Sequence, residues 1–276
     1  MRLVVTGAGG GLGRAFLDVV PPHHDVVALS HADLDVGDHH AVMRTVPPLG
    51  ADAVLNLAAF TSVDGNETDP ERAFRDNAQG PHSLALAARV CGAIFLHVST
   101  DYVFDGEKDT PYDEADAPAP INVYGRAKLA GERMVRDALP EHFVVRTGYV
   151  FGGGSDFLSG QVARLRAGEG AFGLADRTGS PTYVRHLAER LLPLMLTHRF
   201  GTYHLAGPEA VTWHQVLLRC KELGGFSGAV HPQRAVDLRL PARRPRSSAL
   251  TSVFVKNLGL SAFPPLRDAI EDLLRR

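Results

Sequence analysis

The chain has 276 residues, a formal net charge of −2 and an ordinary globular composition. That balance carries no basic footprint for nucleic acid, and no apolar run is long enough to span a bilayer, so neither partner is expected. The length suits one large α/β domain or a main domain with a smaller lobe, and two distant cysteines, Cys91 and Cys220, fit a reduced, cytoplasmic compartment better than a disulfide framework.

Leu3-Val4-Val5 predicts a short first strand, which leaves no room for a secretory leader ahead of it. It runs into Thr6-Gly7-Ala8-Gly9-Gly10-Gly11-Leu12-Gly13-Arg14 and then a helix to about Val20. Gly7, Gly10 and Gly13 give Gly-x-x-Gly-x-x-Gly between strand and helix. Small residues there let the backbone approach a pyrophosphate, which the helix N-terminus stabilises. A glycine triplet alone is weak evidence, but one that closes the first strand and opens the first helix is much more specific. Val26 to Leu29 form the second strand. It ends in Ser30-His31, not in the acidic residue that commonly holds the ribose of NAD, and Arg14 lies near the turn. An uncharged or basic setting predicts NADPH over NADH, unless Asp33 or Asp35 reaches back to the ribose.

Ala53 to Ala59 read as a third strand whose small last residues, Ala58 and Ala59, leave room for a cofactor. Thr68-Asp69-Pro70-Glu71 opens a helix that runs through Ala88 and carries Asn77. The apolar run Ala93 to Val98 predicts a buried parallel strand leading into Ser99-Thr100. After a Pro- and Asp-rich loop comes a helical pattern bearing Tyr124 and Lys128, which at a spacing of four share one face. A phenol, which ordinarily ionises near about 10, is a poor acid at neutral pH, and a neighbouring ammonium lowers that value. Such a tyrosine can protonate a carbonyl oxygen as hydride reaches the carbon. On an exposed helix the same spacing arises by chance, so the pair gains meaning only from the glycine turn.

His142 to Arg146 predict another strand. Beyond Thr147 the segments shorten: a loop at Phe151 to Gly154, helices at Gln161–Ala167 and Val184–Leu196, a strand at Gly201–Ala206, a helix opened by Thr212-Trp213, and a last helix at Leu266–Leu274. The basic run Arg243-Arg244-Pro245-Arg246 reads either as a solvated face or as a phosphate site. The histidine doublets at 23–24 and 39–40 lack ligand spacing and predict no metal. The pattern as a whole is α/β, a Rossmann-like doubly wound parallel sheet. Residues 1–150 form its dinucleotide-binding domain. Residues 151–276 form mainly a smaller C-terminal substrate-binding lobe, with some segments returning to the main domain.

Taken together, these stretches resemble the extended short-chain dehydrogenase/reductases, and among them the dTDP-4-dehydrorhamnose reductases. The carrying segments are Val5-Thr6-Gly7-Ala8-Gly9-Gly10, Asn56 to Asp64, Ser99-Thr100-Asp101-Tyr102-Val103-Phe104-Asp105-Gly106, Tyr124-Gly125-Arg126-Ala127-Lys128-Leu129-Ala130-Gly131-Glu132, Gly179 to Tyr183, and Arg244-Pro245 with Ser248 and Leu250. The resemblance covers nearly the whole chain. It implies NADPH-dependent reduction of the C4 keto group of a nucleotide-linked, dTDP-type 4-keto-6-deoxyhexose, with NADH as a second cofactor. Thr100, Tyr124 and Lys128 would be the catalytic triad. Gly7, Gly10, Gly11 and Leu12 would line the pyrophosphate, Ser30, Asp35 and Val36 the adenine side, and Ala58, Ala59, Thr61 and Asn77 the rest of the cofactor edge. Asp101, Tyr102 and Tyr149 would face the sugar and Arg244 the nucleotide diphosphate.

Three positions depart from the family pattern: Ala127 where Ser or Thr is usual, Tyr149 where Trp is typical, and Asp156 where Asn is usual. The rival readings are a nucleotide-sugar epimerase or dehydratase, and a non-catalytic subunit like the regulatory one of methionine adenosyltransferase. Dehydratases of this kind carry Asp-Glu after the Thr, whereas here Asp101 is followed by Tyr102. A homodimer, and any metal at a subunit contact, are left open by the sequence.

Overall fold

The computed structural model describes residues 1–276. The first half alternates strand and helix: β1 (Arg2–Thr6), α1 (Gly11–Val19), β2 (Asp25–Leu29), α2 (His39–Thr45), β3 (Ala53–Asn56), α3 (Val63–Thr68), α4 (Pro70–Phe74), α5 (Gly80–Cys91), β4 (Ile94–Thr100), α6 (Val123–Ala138) and β5 (His142–Thr147). The second half continues with β6 (Val150–Phe151), α7 (Phe157–Arg166), β7 (Ala171–Leu174), β8 (Thr178–Gly179), β9 (Thr182–Tyr183), α8 (Val184–Leu196), β10 (Gly201–His204), β11 (Val211–Thr212), α9 (Trp213–Gly224), β12 (Val230–Gln233) and α10 (Leu266–Arg275). No helix is long and apolar enough to cross a membrane.

Six strands form one parallel sheet in the order β10-β5-β4-β3-β1-β2. The strand order reverses beside β1, since β2 lies on one side and β3 on the other. At such a switch point the carboxyl ends of the strands open into a crevice. Every residue of β3 and of β5 is buried, as expected of strands covered on both faces. The pleat then sorts alternate residues. Val4, Val54, Phe95 and Val144 pack with Leu84, Ala85 and Ala88 of α5. Leu3, Val5, Leu55, Leu96 and Val145 pack with Phe16 of α1 and with Leu187 and Leu191 of α8. At roughly 1.5–3 kcal/mol for each large apolar side chain buried, these two layers hold the sheet and fix its upper edge.

A third core gathers Phe151, Leu158, Val162, Tyr183, Val216, Leu217 and Ile270 beyond β5. Between those segments α8 and β10 go back to the main body, where β10 adds the sixth strand beside β5.

Two local expectations change. The third strand ends at Asn56 rather than Ala59, because Asn56 Oδ1 captures the Ala58 N–H at 3.1 Å and turns the chain out of the ladder. The single helix expected from Thr68 to Ala88 is divided. Asp69 caps α4 by accepting from Arg72 N at 3.1 Å, and a π-helical turn at Arg75–Gln79 separates α4 from α5. The widened turn brings Asn77 against α6, where a Cβ at Gly131 would stand 2.3 Å from the Asn77 carbonyl oxygen.

Candidate active site

The glycine turn is a close three-way packing. Gly7 has φ 72°, and a Cβ there would lie 2.5 Å from Ala58 N. One at Gly13 would lie 2.3 Å from the Gly7 carbonyl oxygen. Only glycine lets β1, α1 and the end of β3 meet so tightly. Gly9 and Gly10 are exposed, and Gly10 caps α1 without any side-chain acceptor. The first-turn N–H groups of a nine-residue helix are therefore left for an anionic ligand. Gly11 and Leu12 follow, half-buried. Opposite Gly11 lies Gly153, which a Cβ on Gly11 would approach to 3.0 Å. Asp156 shapes that second loop by accepting from the N–H groups of Gly152, Gly153 and Gly154 at 2.9 to 3.2 Å. These observations fit a dinucleotide pyrophosphate laid over α1.

The remaining cofactor candidates are placed as follows. Ala58 is half-buried, while Ala59 and Thr61 are exposed on the strip that continues β3. Ser30 follows β2, but its surroundings are not uncharged. Asp33 turns back so that its carboxylate accepts from Ser30 N at 2.8 Å and Ser30 Oγ at 2.6 Å, which hold its pKa below the usual range. Arg14 supplies no compensating charge there, because its guanidinium is bound to the carbonyls of Gly9 and Gly153. Asp35 accepts from Gly37 N at 2.9 Å and pairs with Arg75, and the Val36 side chain is buried under Gly80. Asn77 is not placed for a direct contact through its side chain. Its amide is fully buried, donating to Phe60 O at 3.0 Å and Asn66 Oδ1 at 2.9 Å and accepting from Phe60 N at 3.0 Å. It holds the Ala58–Thr61 strip in position instead.

Thr100, Tyr124 and Lys128 converge above the end of β4. Asn122 caps α6 by accepting from Gly125 N at 2.8 Å, and the Val123 N–H donates to Glu67 at 2.9 Å. A Cβ on Gly125 would lie 2.1 Å from the Tyr102 carbonyl oxygen, so glycine brings the first turn of α6 onto the turn after Thr100. The half-buried Tyr124 phenol then lies beside the Thr100 hydroxyl. Thr100 Oγ1 accepts from Tyr102 N at 3.1 Å and donates to Asp101 Oδ1 at 3.0 Å.

The electrostatics differ from the expectation. Burial pushes the Tyr124 phenol up to about 12, and the Thr100 hydroxyl beside it only partly offsets this. Lys128 does not act on it from a free position. Its Nζ is buried, donates to Val98 O at 2.7 Å and meets His97 Nε2 at 3.2 Å. Burial brings its pKa down to about 7, with Glu132 pulling it upward. Burial also raises Asp101 to about 6, against the hydrogen bonds from Ser248 and Thr100.

Of the residues expected to face the sugar, Asp101 is buried and accepts from Ser248 Oγ at 2.5 Å. Tyr102 meets Tyr124 edge-on at 6.0 Å between ring centres. Tyr149 takes φ 49°, a left-handed conformation uncommon outside glycine, and stacks flat on Trp213 at 4.6 Å and 6°. The sequence marks Trp213 only as a helix opener. No local signal points to its role here, since the stack joins two distant segments. Arg244 is already paired, with Nη1 and Nη2 at 2.9 and 2.8 Å from the two carboxylate oxygens of Asp64. This pairing makes it a bidentate clamp between the C-terminal segment and α3. Arg246 pairs with Asp109 on the surface.

A parallel sheet with a glycine turn at its switch point and a Thr/Tyr/Lys cluster at the same edge, at the end of β4, defines a Rossmann-type oxidoreductase of the short-chain class. The whole chain, residues 1–276, matches the family model described as the RmlD substrate binding domain. A dTDP-4-dehydrorhamnose reductase of Mycolicibacterium smegmatis is 40% identical over 278 residues, spanning 98% of this chain and 84% of the relative. The dTDP-4-dehydrorhamnose reductase of Bacillus anthracis, solved in complex with NADP, superposes with a TM-score of 0.95 at 30% identity, covering 99% of this chain and 98% of that one. A UDP-glucose 4-epimerase of Thermotoga maritima, with a TM-score of 0.85, 21% identity and coverage of 100% and 98%, shares the fold. The chain belongs to the dTDP-4-dehydrorhamnose reductase family, and is an NAD(P)H-dependent oxidoreductase of the nucleotide-sugar 4-ketoreductase type.

Proposed function

We propose that this protein reduces the C4 keto group of a dTDP-linked 4-keto-6-deoxyhexose, with NADPH as hydride donor and NADH as a second donor. The observation that carries the reading is the convergence of Thr100, Tyr124 and Lys128 at the carboxyl end of β4, on the same edge of the sheet as the glycine turn. Gly10, Gly11 and Leu12 would hold the pyrophosphate, and Ala58, Ala59 and Thr61 the cofactor edge. The bound nicotinamide supplies the hydride that reaches C4. Tyr124 gives its proton to the C4 oxygen, so that the ketone becomes an alcohol and the phenol a phenolate. Thr100, its hydroxyl turned from Asp101 to the substrate, would donate a hydrogen bond that orients the same oxygen, and a charged Lys128 stabilises the phenolate. The stacked Tyr149 and Trp213 form an apolar wall suited to the sugar, with Asp101 held behind Thr100. A single carboxylate after Thr100, followed by Tyr102, favours reduction over elimination. The C-terminal segments around the third core would serve as the substrate lobe, and the two free thiols suit the cytoplasm.

The test mixes protein, NADPH and dTDP-4-keto-6-deoxy sugars of both C5 configurations. Loss of NADPH absorbance with formation of a C4 alcohol is expected, and the product's coupling constants give its configuration. A product formed without NADPH consumption would reject reduction.

A further inference from the structure

The polar groups buried behind the site form one chain whose protons can be assigned. Ala58 N–H donates to Asn56 Oδ1 at 3.1 Å, and Thr6 Oγ1 bonds the same oxygen at 2.8 Å. The backbone donor fixes the amide, because a flipped Asn56 would turn its NH2 against an N–H. Asn56 Nδ2 therefore points at His97 Nδ1, 3.1 Å away, and Nδ1 must accept. The one proton of a neutral imidazole then sits on Nε2, which faces Lys128 Nζ at 3.2 Å. An ammonium has donors only, so a charged Lys128 would set N–H against N–H. His97 is 0% and Lys128 1% exposed, so water does not relieve the conflict. An uncharged amine offers a lone pair to His97 and still donates to Val98 O at 2.7 Å.

We infer that in the free protein Lys128 is a neutral amine that accepts a hydrogen bond from the Nε2–H tautomer of His97, and that as the cofactor binds Nζ turns away from His97 Nε2–H and takes up a proton. Only the second half rests on the triad reading of Lys128. The groups around the amine agree. Glu132, one turn on in α6, favours the ammonium, but it is itself paired with Arg146 from β5 at 2.7 Å. From β4 the facing titratable group is His97, which burial and Lys128 hold well below its usual pKa. Tyr124, on the first turn of α6, stays an uncharged phenol, and Asp101 lies beyond Thr100 and holds its proton to about pH 6. Asn56 and His97 thus become positioning residues for the reaction. The chain of bonds begins at Ala58, on the expected cofactor edge, and ends at the group that must be charged when Tyr124 becomes a phenolate.

The test begins with the free protein. The chain has only Lys108, Lys128, Lys221 and Lys256, so 13C at lysine Cε can be followed residue by residue from pH 6 to 10, and 15N shifts read the His97 tautomer. Lys128 is expected to titrate near 7 and His97 to carry its proton on Nε2. A Lys128 still charged at pH 9, or a proton on Nδ1, would overturn the assignment. Asn56→Asp keeps the shape but sets an acceptor against Nδ1. It should switch the tautomer and let Lys128 keep its proton through pH 9, whereas an unchanged tautomer counts against the assigned chain of hydrogen bonds. Calorimetry of NADPH binding at pH 8, in buffers of different ionisation enthalpy, should register uptake of most of one proton. Binding without uptake would overturn the coupling. Because the titration uses the free protein, its failure is separable from any failure of cofactor binding.

Discussion

Glu132 and Arg146 form a fully enclosed ion pair under the catalytic end of β4, and removing one partner should be felt throughout the site. The pair's side chains are 0% and 4% exposed. Arg146 Nη2 and Nε reach the two carboxylate oxygens at 2.7 and 3.0 Å, Ser99 Oγ donates to the same carboxylate at 2.6 Å, and the guanidinium lies 5.2 Å from the Phe104 ring centre. Glu132→Leu leaves a buried guanidinium without its counter-ion, and breaking a buried pair in this way costs about 3–5 kcal/mol. For a chain of this size that lowers Tm by on the order of 6–20 °C, since 1 kcal/mol corresponds to about 2–4 °C. Arg146→Met should cost as much, whereas the double variant should recover most of the loss, because neither charge is then left alone. Thermal unfolding followed by circular dichroism gives the whole cycle. Single variants that each cost less than about 1 kcal/mol, or a double variant that simply adds the two losses, would refute the argument that these charges depend on each other.

Tyr124→Phe should keep the fold and the affinity for NADPH while turnover drops about 10²-fold or more, the usual scale for a positioned acid; near wild-type rates would remove Tyr124 from that role. Asp101 is held protonated to about pH 6 by burial, whereas in the unfolded chain it ionises near 3.8. The native state therefore binds the extra proton between those values, so this group's contribution to stability falls as pH rises through the window, by about 3 kcal/mol for two pKa units. Asp101→Asn should flatten urea-unfolding stability between pH 4 and 6; an unchanged slope would mean the carboxyl is solvated. Gly7→Ala should weaken nucleotide binding and cost at least about 1–2 kcal/mol from the left-handed backbone alone, with the clash at Ala58 added. Tight NADPH binding by that variant would show that the turn can relax. Asp33→Ser removes the carboxylate from Ser30 and should shift the KM ratio toward NADPH; no shift would place the 2′-phosphate elsewhere.

The strands, the glycine turn and the Tyr124/Lys128 pair are legible because each is written in a local code. Apolar runs such as 93–98 mark strands covered on both faces, a glycine at φ 72° marks a turn no other residue takes easily, and a spacing of four puts two side chains on one helix face. The helix beginning at Thr68 reads as continuous because its periodicity carries through the π turn, which packs its Asn77 carbonyl against Gly131 of α6.

By itself, then, the sequence determined the sheet, the dinucleotide turn and the chemical types at the site. Tertiary structure alone decided what those types meet. Arg244 finds Asp64 across 180 residues, Lys128 finds His97 on the preceding strand, Trp213 lies flat on Tyr149, and Asp33 supplies the charge that Ser30 lacks. The reason is physical: a side chain's charge state and orientation follow from its burial and its nearest partners, and the folded chain brings those partners from far along its length.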